Sequence, residues 1–194
     1  MSRSLALTFL CACAAAPGSI ASVGCAGAGS AASVASPTPP HTQLAASPEE
    51  SRFSELRQLT FGGENAEAYF SFDGRSVSLQ RRTADVPCDR IYTMPIFDEH
   101  GLPLPSTAPV PISSGQGATT CSHYYPGGSE LLYASTHLSG AACPPKPDMS
   151  QGYVWALYDS YDIFKANADG SQLTRLTETA GYDAEGTVCG RDGS

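Results

Sequence analysis

The sequence predicts an all-β fold built from repeated antiparallel meanders, and three observations predict it. A segment recurs: Leu59-Thr60-Phe61 leads through Asn65-Ala66-Glu67 to Asp73-Gly74, and Leu176-Thr177-Glu178 leads through Asp183-Ala184-Glu185 to Asp192-Gly193. A degenerate copy lies between them, from Ile112-Ser113-Ser114 through Thr120-Cys121 to Pro126-Gly127-Gly128. Self-similarity at a spacing of some tens of residues marks a repeat architecture. The runs inside each copy are short, aromatic or alternating, and the joints between them are tight-turn dipeptides, which is strand and hairpin chemistry.

The first unit opens on Ala68-Tyr69-Phe70-Ser71-Phe72, an aromatic-rich strand. Asp73-Gly74 supplies positive-φ residues for a hairpin turn, and Val77-Ser78-Leu79-Gln80 alternates apolar with polar. After an expected break at Val86-Pro87-Cys88-Asp89, a third strand covers Arg90-Ile91-Tyr92-Thr93-Met94. Val110-Pro111-Ile112 fits a fourth strand at an edge, where no ladder partner needs the N–H that proline lacks. The second unit repeats this order with Cys121-Ser122-His123-Tyr124-Tyr125, a Pro126-Gly127-Gly128 turn and Glu130-Leu131-Leu132-Tyr133-Ala134-Ser135. An insertion, residues 136–161, then precedes Asp162-Ile163-Phe164-Lys165-Ala166, a turn at Asn167-Ala168-Asp169-Gly170, and Leu173-Thr174-Arg175-Leu176. A third unit runs from Asp183-Ala184-Glu185 to Asp192-Gly193-Ser194. Each unit is a meander of about four strands, the composition of a propeller blade. The insertion, carrying Cys143-Pro144-Pro145-Lys146-Pro147 and Tyr153-Val154-Trp155, is too long for a simple connection and is a first place to look for binding.

The N-terminal quarter reads as transport signal and tether. Arg3, the apolar stretch Leu5 to Leu10 and the small residues through Cys25 follow the order of a secretory signal, here residues 1–25. Leu10-Cys11-Ala12-Cys13 and Ser22-Val23-Gly24-Cys25 offer Cys13 and Cys25 as lipidation candidates, with ordinary cleavage near Ala26-Gly27-Ala28 as the alternative. Residues 26–52 are Ala, Ser, Pro and Thr with hardly an aromatic, the composition of a disordered tether. The repeat domain is residues 53–194. A formal charge of -8, with no cluster of Lys and Arg, argues against nucleic acid as a partner. Membrane association is expected only through an N-terminal lipid, since no other run is long and apolar enough to span a bilayer.

In order and spacing these residues resemble the WD40-like repeats of the TolB-type β-propeller family. Its units typically run Leu-Thr, spacer, Phe-Ser-Pro-Asp-Gly, strand, Asp-Ile-Tyr and Asn-x-Asp-Gly. The matching pieces are Leu59-Thr60, Phe70-Ser71-Phe72-Asp73-Gly74, Asp162-Ile163-Phe164, Asn167-Ala168-Asp169-Gly170 and Leu176-Thr177, across roughly residues 55–194. Phe72 stands where the family usually has Pro, Gly127 replaces the turn Asp, and Cys189-Gly190-Arg191 adds a residue before Asp192. The resemblance implies blades around a central channel, commonly six, in a periplasmic or surface protein that binds other proteins. This chain holds about two and a half blades, an incomplete ring.

Catalytic residues are not expected. No Gly-x-Ser-x-Gly elbow occurs; His41 lies in the tether, His100 in a Pro-rich loop, and His123 and His137 near strands without a motif tying Ser or Cys to either. Cys88, Cys121, Cys143 and Cys189 are disulfide candidates in an exported chain, and a Cys121–Cys143 bridge is favoured over zinc held by Cys121, His123, His137 and Cys143. Asp159, Asp162, Asp169, Asp183 and Glu185 do not fit an EF-hand calcium loop, so neither metal nor cofactor is expected. The acidic entrances to two blades supply the binding candidates Glu64, Glu67, Asp183 and Glu185, whose carboxylates could collect around one channel mouth suited to a cation, a basic peptide or a Lys or Arg side chain, the favoured alternative being repeat residues that only stabilise the start of each blade.

The expected function is a non-enzymatic protein-binding propeller module of the bacterial envelope, periplasmic or surface-associated, and part of a longer propeller. Its partner is an envelope protein or peptide, and its oligomeric state is left open. The alternatives are the substrate-gating propeller of a serine peptidase lacking its catalytic domain, and an inactive truncated product whose unpaired edge self-associates.

Overall fold

The structure is a computed structural model that describes residues 42–44, 47–50 and 52–194. The signal, both lipidation candidates, His41 and most of the tether lie outside the described residues. Ten strands follow in chain order: β1 Thr42–Leu44, β2 Leu56–Gln58, β3 Glu64–Phe70, β4 Ser76–Thr83, β5 Val86–Pro95, β6 Val110–Pro111, β7 Thr119–Tyr124, β8 Glu130–Ser135, β9 Asp162–Asn167 and β10 Thr174–Arg175. β1, inside the stretch read as tether, pairs with β2. The rest form two four-stranded antiparallel sheets, β3-β4-β5-β6 and β7-β8-β9-β10, each with strands adjacent in space in the order they occur in the chain. The fold is all-β, and each sheet has the meander topology of a propeller blade.

The turns follow one hydrogen-bond plan. Ser71 N–H donates to the Ser76 carbonyl at 2.8 Å and Gly74 N–H to that of Ser71 at 2.8 Å. Tyr125 and Glu130 are joined in the same way at 2.9 Å, and Gly128 and Tyr125 at 3.0 Å. In the third unit Cys189 bonds Ser194 at 2.7 Å, and Gly193 bonds Cys189 at 2.9 Å. The outer step is five residues in all three turns, so the third turn gains no length; its Asp-Gly pair is shifted by one, which takes the inner step from three residues to four. Asp73, Asp169 and Asp192 each accept the N–H two residues on, the local bond that makes aspartate a turn residue.

Two details depart from the expected strands. β5 begins at Val86, not after Asp89, because Val86 pairs with Thr83 beyond a bulge and the Pro87 site does not interrupt the ladder. No strand is found in the third unit among the described residues, although its turn is formed.

The core lies on both faces of the first sheet. In β4 the period-2 alternation sends Val77 and Leu79 to one face, where they pack with Met94 and Ile96 beneath Leu59 and Phe97. On the other side Ile91 joins Ile112, Tyr133, Phe164 and Ala166, all nearly inaccessible to solvent, to bind the sheets together. Polar contacts cross the same boundary. Ser78 Oγ donates to the Ser122 carbonyl at 3.1 Å and Thr119 Oγ1 to that of Asp89 at 3.0 Å. The buried Arg90 guanidinium donates to the carbonyls of Gly115 and Gly117, tying β5 to the segment that leads into β7.

A disulfide joins Cys88 of β5 to Cys143 of the insertion, with Cα atoms 5.4 Å apart. This corrects the expected Cys121–Cys143 bridge. Cys121 sits in the bulge of β7, buried and free, and Cys189 is exposed and free. The pairing follows from sheet contact: the start of β5 lies beside the chain that leaves β8, a juxtaposition that sequence separation does not reveal.

Candidate functional site

Three residues outside glycine share a left-handed backbone at repeat-equivalent positions. Glu67 (φ +49°), Cys121 (φ +48°) and Glu185 (φ +59°) each stand four residues before the turn-opening residues Ser71, Tyr125 and Cys189. In β3 and β7 these positions coincide with register shifts, between Ala66 and Tyr69 and between Thr120 and His123. A bulge places an extra residue on one strand and re-aims its side chains. Positive φ at a residue with a β-carbon costs of order 1 kcal/mol or more and persists only where surroundings impose it.

The bulges converge. Glu67, Cys121 and Glu185, with the residues two positions on, Tyr69, His123 and Thr187, line a single cavity of about 400 Å³, which Trp155 of the insertion completes. The Tyr69 and His123 rings are 4.2 Å apart at 43°. Tyr69 Oη donates to the Glu67 carboxylate, and this bond, with burial and the nearby charge, pushes the phenol up to about 12. Burial raises the Cys121 thiol, against a hydrogen bond from Thr120 and with further help from Glu185 and Glu67. Burial lowers His123, and Glu67 opposes it. Near neutral pH the cavity therefore holds protonated thiol and phenol, a neutral imidazole, an indole and two carboxylates. That set accepts hydrogen bonds and attracts positive charge, and no Lys or Arg lines it.

Of the four predicted acidic residues, the structure brings Glu67 and Glu185 together in this cavity. Glu64 pairs with Arg82 beside Gly63, Thr83 and Lys146, away from the cavity. Asp183 accepts from Thr179 Oγ1 at 3.1 Å and donates its own N–H to Tyr161, anchoring the third unit. Trp155 belongs to the insertion that the sequence marks as a place to look for binding, whereas nothing in the sequence alone marks Tyr69 and Thr187. Aligning the copies on their turns, instead of on their acidic entrances, exposes the shared position four residues upstream and its neighbour two further on.

The remaining candidates are occupied structurally. His137 Nδ1 is 2.8 Å from Ser135 Oγ, but Ser135 is buried and the imidazole packs on Phe164 at 4.4 Å, so that hydroxyl faces no substrate. Asp162 pairs with Arg175 at 2.8 Å, and Asp169 holds its turn through Ser171. Among the described residues no three His, Cys, Asp or Glu side chains gather closely enough for one metal ion.

No family model and no curated protein matches the chain. Among solved structures, an Agrobacterium tumefaciens protein described as a TolB is similar, with 18% identity and a TM-score of 0.48. The match covers 72% of this chain and 43% of that one, so the aligned region spans less than half of its length.

Proposed function

We propose that this chain is a non-enzymatic, propeller-type binding module for another protein or peptide, working in the bacterial cell envelope, with the cavity among the three left-handed residues Glu67, Cys121 and Glu185 as its binding face. One observation carries the reading: repeat-equivalent residues from three successive units, each at a conformation costly for a side chain, point into one cavity. Strained positions gathered at a cavity are a pointer to function. The lining offers no nucleophile paired to a base, which favours recognition over turnover. The order of residues in the leader supports export, and Cys13 or Cys25 supplies a route to a lipid anchor.

The test is affinity capture from envelope extract with the full chain, run beside a variant in which Glu67 and Glu185 are both changed to Gln. The expected result is a partner retained by the parent and released by the variant. Equal capture by both, or peptide and ester hydrolysis by the purified chain, would overturn the reading. Fractionation with mass analysis of the mature N-terminus checks export and lipidation directly.

A further inference from the structure

The turns of the three units also meet. Phe72 of the first turn lies against Gly190 of the third, so that a β-carbon added at Gly190 would stand 2.6 Å from Phe72 Cε1. Gly193 of the third turn meets the Tyr125 ring and Pro126 of the second, its added β-carbon falling 3.7 and 3.8 Å away. The three turns thus touch one another where the inner strands end. Phe72 and the extra residue near Gly190, two separate departures from the family pattern in sequence, are a single contact here: the ring needs a residue without a side chain beneath it. The bulge residue Glu67 lies five residues before Phe72, roughly 15 Å along an extended chain. Trp155 stands at the bulge level, half exposed.

Resting on the binding role proposed above, we propose that this cavity takes one organic cation, a primary ammonium or guanidinium presented by a partner's side chain, held beside Trp155. Its volume of about 400 Å³ is within the range of small-ligand sites and ample for one long side chain. Two carboxylates draw positive charge, and among the described residues neither Glu67 nor Glu185 is paired with Lys or Arg. Trp155 and Tyr69 line the same cavity, and aromatic rings attract an organic cation. An inorganic ion is disfavoured because, among the described residues, no three ligating side chains gather closely enough to hold one. Burial keeps His123 from supplying an internal positive charge that would compete.

Trp155 is the single tryptophan of the chain, so its fluorescence reports on the pocket. The full chain is titrated with N-acetyl-lysine amide, with agmatine, with the neutral isostere N-acetyl-norleucine amide and with calcium chloride. Saturable changes with the first two and none with the others are expected. Glu185→Asn, chosen because asparagine tolerates the left-handed backbone, should weaken both by roughly tenfold, as should Glu67→Gln. Trp155→Ala, followed by calorimetry, should weaken them several-fold, with melting curves confirming that each variant folds. Equal response to the norleucine probe would overturn the proposal in favour of a merely apolar pocket, and competition by calcium in favour of an inorganic ion. No saturation by either cationic probe would overturn it outright. Partner capture distinguishes the two readings: capture that ignores excess lysine amide leaves the binding module standing and removes the cation pocket. Probe binding with no captured partner does the reverse.

Discussion

The β7–β10 sheet is covered on its two faces in different ways. Toward the first sheet, Tyr133, Phe164 and Ala166 meet Ile91 and Ile112, and Arg90, Ser78 and the Cys88–Cys143 bridge fasten the contact. On the other face Leu132 and Ile163 are met by Gly186, from a stretch with no ladder of its own; a β-carbon there would come within 2.9 Å of Leu132 and 3.1 Å of Ile163. Both covering segments carry the same repeat. The third unit nevertheless keeps only its turn and the left-handed residue, Glu185. Turns are thus written locally, by Asp, Gly and short-range bonds, whereas a strand exists only where another chain segment supplies hydrogen-bond partners.

Removing the fastening of the first face tests this contrast most severely. Replacing Cys88 and Cys143 together by Ser opens a loop with a sequence separation of 55 and should lower unfolding free energy by about 4 kcal/mol in urea titrations. A loss near zero would mean that packing alone holds the sheets. Next comes a matched pair of glycine substitutions. At Gly117 (φ +62°) an added β-carbon meets Thr136 Oγ1 at 2.6 Å and the His137 backbone N at 2.7 Å, so Gly117→Ala should cost about 3 kcal/mol. Gly190→Ala displaces only the half-exposed Phe72 ring and should cost about 1 kcal/mol. Equal costs would erase the difference between the two regions.

A smaller effect sharpens the local part of the argument. Glu185→Asn should leave stability within about 0.5 kcal/mol, while Glu185→Ile, β-branched at φ +59°, should lose about 1–2 kcal/mol by thermal melt. The smallest effect is electrostatic. Burial lowers both His123, against Glu67, and His137, against Asp162. As pH falls below the ordinary histidine value of about 6.5, the unfolded chain gains protons that the folded rings do not yet accept, so stability declines on acidification. A decline of under about 1 kcal/mol from these rings between pH 7.5 and 5.5 is expected, and it should flatten in a His123→Gln, His137→Gln double variant.

Much of this fold was legible because its punctuation is local. The Asp73-Gly74, Gly127-Gly128 and Asn167–Gly170 turns and the alternation in β4 follow from residue type alone, and the proline of β6 falls on a sheet edge as expected. The site was half legible. Glu67 and Glu185 stood out as acidic copies, but their equivalence to Cys121 depends on a bulge, which inserts a residue without any compositional mark. The disulfide is not legible in the sequence for a related reason. Cys88 and Cys143 approach because one sheet packs on another, a tertiary fact, whereas Cys121 and Cys143 merely share a unit in the chain.

The outermost strands β6 and β10 are each two residues long, and Pro111 removes one of the few donors on the former. Such stubs offer an incoming chain almost no template for main-chain pairing, so side-by-side growth into aggregates is blunted along both outer rims. At high concentration, self-association should therefore not proceed through strand addition at β6 or β10.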